Sequence, residues 1–278
     1  MRHSGRHANA SLERVRFSST YNRALPLLAG ICCCLTVGGV STEAFSAGGL
    51  PQYADPAPVA EASSVGVDTA LIVSVDVSSS VDERRYQIQL EGIAAALEDQ
   101  SVLDAILSGP RKSILFSVVT WADRPKLSLP WVRIASRQDA LVAALKVRTM
   151  RREGGDFTCL SKMLRFVTDK IVPQIPERAS KVVVDVSGDG SDNCNAEEPT
   201  KAVRDEMNAR GTTINGLPIL EGREAATLES WYRENVMGGP GSFILPAQGF
   251  EDFGRAIRQK FVVEVSGTGP AHRAARND

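Results

Sequence analysis

An α/β fold is predicted, with a doubly wound, mostly parallel open sheet flanked by helices and carrying one hairpin edge strand. Three observations predict it. Short β-branched runs alternate with longer helical patterns. The first run, Thr69–Val75 (TALIVSV), reads as a buried strand bounded by polar residues. A single short connection, Asp123-Arg124-Pro125, joins the two strand runs on either side of it as a hairpin would.

After the first strand, the segment VDERRYQIQLEGIAAALED places Tyr86, Leu90, Ile93 and Leu97 at spacings that stack them on one helical face, so they are core candidates. Strands at Ser113–Trp121 and Lys126–Ile134 form the hairpin, and helices follow over Arg137–Lys146 and Cys159–Val172. The remaining order is strand Lys181–Val186, helix Thr200–Arg210, strand Thr212–Pro218, helix Arg223–Glu234, strand Ser242–Leu245 and helix Phe250–Val263. Repeating βα units imply right-handed crossovers and helices on both faces of the sheet. In such sheets ligands bind beyond the carboxyl ends of the strands, where the winding reverses.

Composition narrows the function. The chain has 278 residues, 43% of them hydrophobic and 23% charged, with Lys+Arg 32 against Asp+Glu 33, which excludes wholesale disorder. At pI ≈ 6.4 there is no basic field to hold a phosphate backbone, so nucleic acid is not an expected partner. The histidines are His3, His7 and His272, all near a chain end, so an imidazole base or a His-built zinc site lacks its residue within the folded unit.

Arg2, Arg6, Arg14, Arg16 and Arg23 precede the uncharged stretch Ala24–Val40, and small residues follow around Ala44–Ala47. That order is the order of a secretory signal peptide, so residues 1–47 are expected to be a leader and the protein to be exported, periplasmic or secreted. Membrane attachment is expected only if this segment is retained as an anchor. Residues 48–66, rich in Pro, Ala, Gly and Ser, have the composition of a disordered linker, as do residues 266–278 at the tail. The folded domain is therefore expected over 67–265. Without the leader the chain becomes mildly acidic and keeps two of its five cysteines, Cys159 and Cys194.

Three segments carry oxygen ligands to one edge of this sheet. The first strand runs into Asp76-Val77-Ser78-Ser79-Ser80, the loop Gly154-Gly155-Asp156-Phe157-Thr158 opens a helix, and a later strand ends in Asp185-Val186-Ser187-Gly188-Asp189-Gly190. Together they resemble the metal-ion-dependent adhesion site (MIDAS) of von Willebrand factor A (vWA) domains: Asp-x-Ser-x-Ser, a distant Thr in a Gly-rich loop, and a later Asp. The motifs GGDFTCL and VVDVSGDG look most like an exported bacterial family of A-type domains of unknown function. The resemblance implies a vWA fold and a divalent cation held by Asp76, Ser78, Ser80, Thr158 and Asp189. It also implies an adhesion-type module whose protein or peptide partner offers a Glu or Asp side chain to the ion. Hydroxyls, carboxylates and waters are hard donors, which favours Mg²⁺, with Mn²⁺ or Ca²⁺ as alternatives, over zinc or copper.

Rival readings remain at this level. Asp-x-Ser-x-Ser alone also marks a solvated turn or a helix N-cap, with Ser78 or Ser80 capping the helix that begins near Asp82. Asp156 and Asp192 read as surface loop residues, or as supports behind the ligands. Asp185, Ser187, Asp189 and Gly190 imitate the start of an EF-hand loop, but Ala196 stands where its bidentate Glu is required. Metal-assisted hydrolysis with Asp76 or Asp189 as base, and a structural exported domain with no metal-dependent ligand, are the alternatives to binding. Cys159 follows the proposed Thr ligand and Cys194 lies five residues beyond the proposed Asp ligand, so a fold that gathers the ligands would also gather these thiols into a disulfide, the alternative being two free, partly buried cysteines.

Overall fold

The computed structural model describes residues 66–194 and 197–266. The expected leader, nearly all of the linker and nearly all of the tail lie outside them. Among the described residues no helix is long and apolar enough to cross a membrane.

Among the described residues, five strands form one sheet: β1 (Val67–Asp76), β2 (Ile114–Trp121), β3 (Lys126–Ile134), β4 (Ala179–Gly188) and β5 (Thr212–Pro218), in the order β3-β2-β1-β4-β5. All neighbours are parallel except β3, which turns back on β2 through the short connection the sequence marks as a hairpin. β1 is central and buried along its whole length, which explains the unbroken apolar run Ala70–Val73 at its middle. The chain winds outward to β2 and β3, then returns to the other side of β1 to lay down β4 and β5. The winding therefore reverses between the carboxyl ends of β1 and β4.

Side-chain alternation along β1 divides the core in two. Leu71, Val73 and Val75 face α1 (Glu83–Glu98), α3 (Arg137–Arg148) and α7 (Phe253–Val265), in one cluster with Tyr86, Leu90, Ile93, Ala144, Ile257 and Phe261. Ile72 faces the opposite side, where α4 (Leu160–Phe166), α5 (Thr200–Ala209) and α6 (Ala225–Asn235) contribute Leu160, Met163, Leu164, Val203, Met207, Leu228 and Tyr232.

The structure differs from expectation in four places. A separate helix, α2 (Gln100–Leu107), follows α1 directly, because Asp99 adopts an extended conformation and caps the new helix by accepting from Ser101 N at 2.9 Å. The helix expected over Cys159–Val172 is α-helical only to Phe166, then passes through a π-helical turn (Val167–Ile171) and a 3₁₀ turn (Val172–Gln174). Thr168 Oγ1 donates to Leu164 O at 2.8 Å and Pro173 has no N–H, both of which disfavour a regular continuation. Ser242–Leu245 is not a sixth strand: this region makes only isolated bridges, Gly216 to Ile244 and Ile219 to Ala247. Its flanks explain why, since Gly239 and Gly241 hold φ of 91° and 71° on one side and Pro246 lies on the other. The last helix opens with a 3₁₀ turn (Phe250–Asp252) before α7 proper.

Candidate metal site

β1 ends at Asp76, whose carboxylate is fully buried. Asp76 Oδ1 accepts from Ser78 N at 2.7 Å, and Val81 N donates to Ser78 O at 3.0 Å, which curls the chain into a tight turn before α1. The N-cap of α1 is Asp82, which accepts from Arg85 N at 2.8 Å. Neither Ser78 nor Ser80 caps the helix, so that rival reading of the two hydroxyls is removed.

The hydroxyls turn toward the third segment instead. Ser78 Oγ and Ser80 Oγ stand 3.2 Å apart, and Ser80 Oγ donates to Asp189 Oδ1 at 2.7 Å. Hydrogen bonds thus run continuously from Asp76 through Ser78 and Ser80 to Asp189, joining the ends of β1 and β4 across the point where the winding reverses. Thr158 is buried beside them: a Cβ on Gly190 would stand 3.6 Å from Thr158 Oγ1.

The Thr158 loop is braced from three directions. Asp123, after β2, accepts from Asp156 N at 3.1 Å and Phe157 N at 2.8 Å. Ser79 Oγ donates to Asp156 O at 3.0 Å, and Arg152 donates to Val77 O and Ser78 O at 3.0 and 3.1 Å. Toward the third segment, Thr158 N donates to Asn193 Oδ1 at 2.9 Å and Asn193 N donates back to Thr158 O at 3.0 Å. Cys159 and Cys194 form a disulfide at this seam, with Cα atoms 5.2 Å apart.

Burial, and then the nearby Asp189 charge, push the Asp76 carboxyl up to about 7, against the Ser78 hydrogen bonds that pull it down. Burial also raises Asp189, while its bond from Ser80 and the Arg85 charge oppose the shift. Asp76 Oδ2 is buried with no hydrogen-bond partner. Two desolvated carboxylates, one with an unpaired oxygen, and three hydroxyls form a donor set that a hard divalent cation fits. Among the described residues no cluster of three or more His, Cys, Asp or Glu is placed to hold an ion, so an ion here depends on the hydroxyls.

Asp192 has a structural task. It accepts from Ser161 N at 2.6 Å, Thr200 Oγ1 at 3.0 Å and Cys194 N at 3.1 Å, tying α4 and α5 to the disulfide loop. Asp156 contributes its backbone to the braced loop and leaves its side chain exposed. The EF-hand imitation separates: Asp185 is buried within β4, and Ser187 Oγ donates to Ser74 O at 3.0 Å. Sequence reasoning did not identify Arg85, Asp123, Arg152 and Asn193. Each acts on a distant segment, and no local pattern signals such a contact.

The fold is that of a von Willebrand factor A-like domain. The structure is similar to that of proximal thread matrix protein 1 from the mussel byssus, at 17% identity and TM-score 0.54, over 72% of this chain and 49% of that one. Another structure of the mussel protein, with a zinc-occupied MIDAS motif, matches at 17% identity and TM-score 0.54, over 72% and 48%. A von Willebrand factor type A protein from Catenulispora acidiphila matches at 16% identity and TM-score 0.51, over 72% and 43%. The chain thus spans less than half the length of each of these relatives. No curated protein matches it. The chain belongs to the family described as protein of unknown function DUF1194, whose profile matches residues 66–269.

Proposed function

We propose that this protein is an exported, metal-dependent binding module that recognises an acidic group of a protein or peptide partner through a divalent cation. Asp76, Ser78, Ser80, Thr158 and Asp189 are the proposed ligands, some of them acting through water, and Mg²⁺ is the proposed ion. The reading rests above all on the continuous connection from Asp76 to Asp189, beside a buried carboxylate oxygen that has no partner. The mussel relative's zinc-occupied MIDAS supports a divalent ion at such a site.

When bound, the ion supplies positive charge and a coordination position that an incoming carboxylate can fill. The chain's own groups prepare that position. Ser78, Ser80 and Thr158 contribute neutral donors, so two carboxylates do not exhaust the charge of the ion. Asp123, Arg152 and the disulfide fix the loops before a partner arrives, which lowers the ordering cost of binding. Phe157, 52% exposed on this braced rim, offers an apolar contact next to the ion. A serine-nucleophile hydrolase is disfavoured because the described residues include no histidine and the Ser187 hydroxyl is spent on a backbone carbonyl, and turnover of phosphate esters separates metal-assisted hydrolysis from binding.

The test is capture of partners from the exported fraction on immobilised protein with Mg²⁺, with EDTA, and on Asp189→Ala. The proposal expects the same partner to be lost in both of the latter conditions, without turnover of phosphate esters by the wild type. Capture indifferent to both treatments would overturn it.

A further inference from the structure

Next to Asp76 Oδ2, a second buried polar atom lacks a hydrogen-bond partner: the hydroxyl of Tyr232. Tyr232 lies on α6, in the core cluster on the opposite face of the sheet from α1, and is fully buried. Two glycines on adjacent strands clear its way. A Cβ on Gly216 of β5 would stand 2.8 Å from Tyr232 Cδ1. A Cβ on Gly188, at the end of β4, would stand 2.8 Å from Tyr232 Oη and 3.0 Å from Asp76 Oδ2. The ring therefore passes over both strands through space that any other residue would fill, and its hydroxyl ends beside the unpaired oxygen of Asp76. Trp231 packs edge-on to the ring at a centroid distance of 5.7 Å.

A buried hydroxyl without a partner is costly, as is a buried carboxylate oxygen without one. Here the two are neighbours of opposite capability, since a phenol donates and a carboxylate accepts. We propose that Tyr232 is a positioning residue of the metal site, donating to Asp76 Oδ2 through one bridging water and holding the ionised carboxylate in its ligating orientation. This rests on the proposed metal site and adds a residue from α6, which the three motif segments do not include.

The test compares Tyr232→Phe with the wild type by calorimetric titration with Mg²⁺ and by thermal unfolding in EDTA. Phenylalanine keeps the ring packing and removes only the hydroxyl. The expected result is Mg²⁺ affinity weakened by about three- to tenfold, with the metal-free variant still folded by circular dichroism and unfolding cooperatively, its stability lowered by no more than the loss of one hydrogen bond. Unchanged affinity overturns the proposal, as does lower affinity accompanied by an altered circular dichroism spectrum or loss of cooperative unfolding, which marks a packing defect. Gly188→Ala, which wedges the two oxygens apart, should weaken affinity by a route shared with Tyr232→Phe, so the double variant should lose less than the product of the single losses. Independent losses count against that route. If the wild type binds and Asp76→Ala does not while Tyr232→Phe equals wild type, the metal site stands and only the role of Tyr232 falls. No uptake by the wild type removes both.

Discussion

Removing the Cys159–Cys194 disulfide should destabilise the metal-free domain chiefly by releasing its unfolded chain. The bonded residues are separated by 35 positions, and the chain-entropy treatment gives about 4 kcal/mol for a closed loop of that size. The folded seam has other ties that survive reduction: the reciprocal Thr158–Asn193 bonds, and Asp192 on Ser161 and Thr200. The reduced native state should therefore keep its shape, and most of the loss should appear as a lower unfolding midpoint. With a urea m value of about 2 kcal/mol/M, the midpoint falls by about 2 M. Circular dichroism in urea, with EDTA present, compares the oxidised wild type with Cys159→Ala/Cys194→Ala and with the reduced wild type. EDTA matters because a bound ion would add stability by mass action. A midpoint shift below about 0.5 M at an unchanged m value would refute the reasoning.

Other predictions concern groups away from the proposed ligands. Asp82→Ala should cost about 1 kcal/mol in urea unfolding through loss of the α1 cap, and leave Mg²⁺ affinity nearly unchanged. Lys260 is fully buried, 3.4 Å from Asp185 and 3.2 Å from Glu264, so Lys260→Met should destabilise by about 3–5 kcal/mol by leaving two buried carboxyl groups without a cation. Burial, then the Glu264 charge, hold the Asp185 carboxyl well above its usual value of 3.8. The stability it contributes is therefore present below that value and lost as pH rises through the raised one. Unfolding free energies of wild type relative to Asp185→Asn should accordingly fall as pH rises above 3.8; a difference that stays flat or rises there contradicts the assignment.

Much of this architecture was legible because local pattern and tertiary environment agree. The middle of β1, Ala70–Val73, is apolar since both faces are covered, and Tyr86, Leu90, Ile93 and Leu97 share a face that the core occupies. The proposed ligand segments could be placed on one sheet edge for a related reason: each is a short run at a strand end or helix mouth, where the fold class already places binding sites. What was not legible depends on distant partners. The apolar character of Ser242–Leu245 suggested a strand, but flanking glycines and prolines leave it only isolated bridges. Lys260 looks like a solvated helix residue until Asp185, on another element, is placed against it. Tyr232 looks like ordinary core, and its approach to Asp76 appears only once Gly216 of β5 and Gly188, two residues beyond its partner Val186 in β4, both border the ring.

The most direct test of the central claim is calorimetric titration of the metal-stripped domain with Mg²⁺ and Mn²⁺, comparing the wild type with Asp76→Ala and Asp189→Ala. The account predicts a single saturable site in the wild type, abolished by Asp76→Ala and lost or greatly weakened in Asp189→Ala, with all three proteins folded by circular dichroism. Equal binding by wild type and Asp76→Ala, or no saturable binding by a folded wild type, would contradict it.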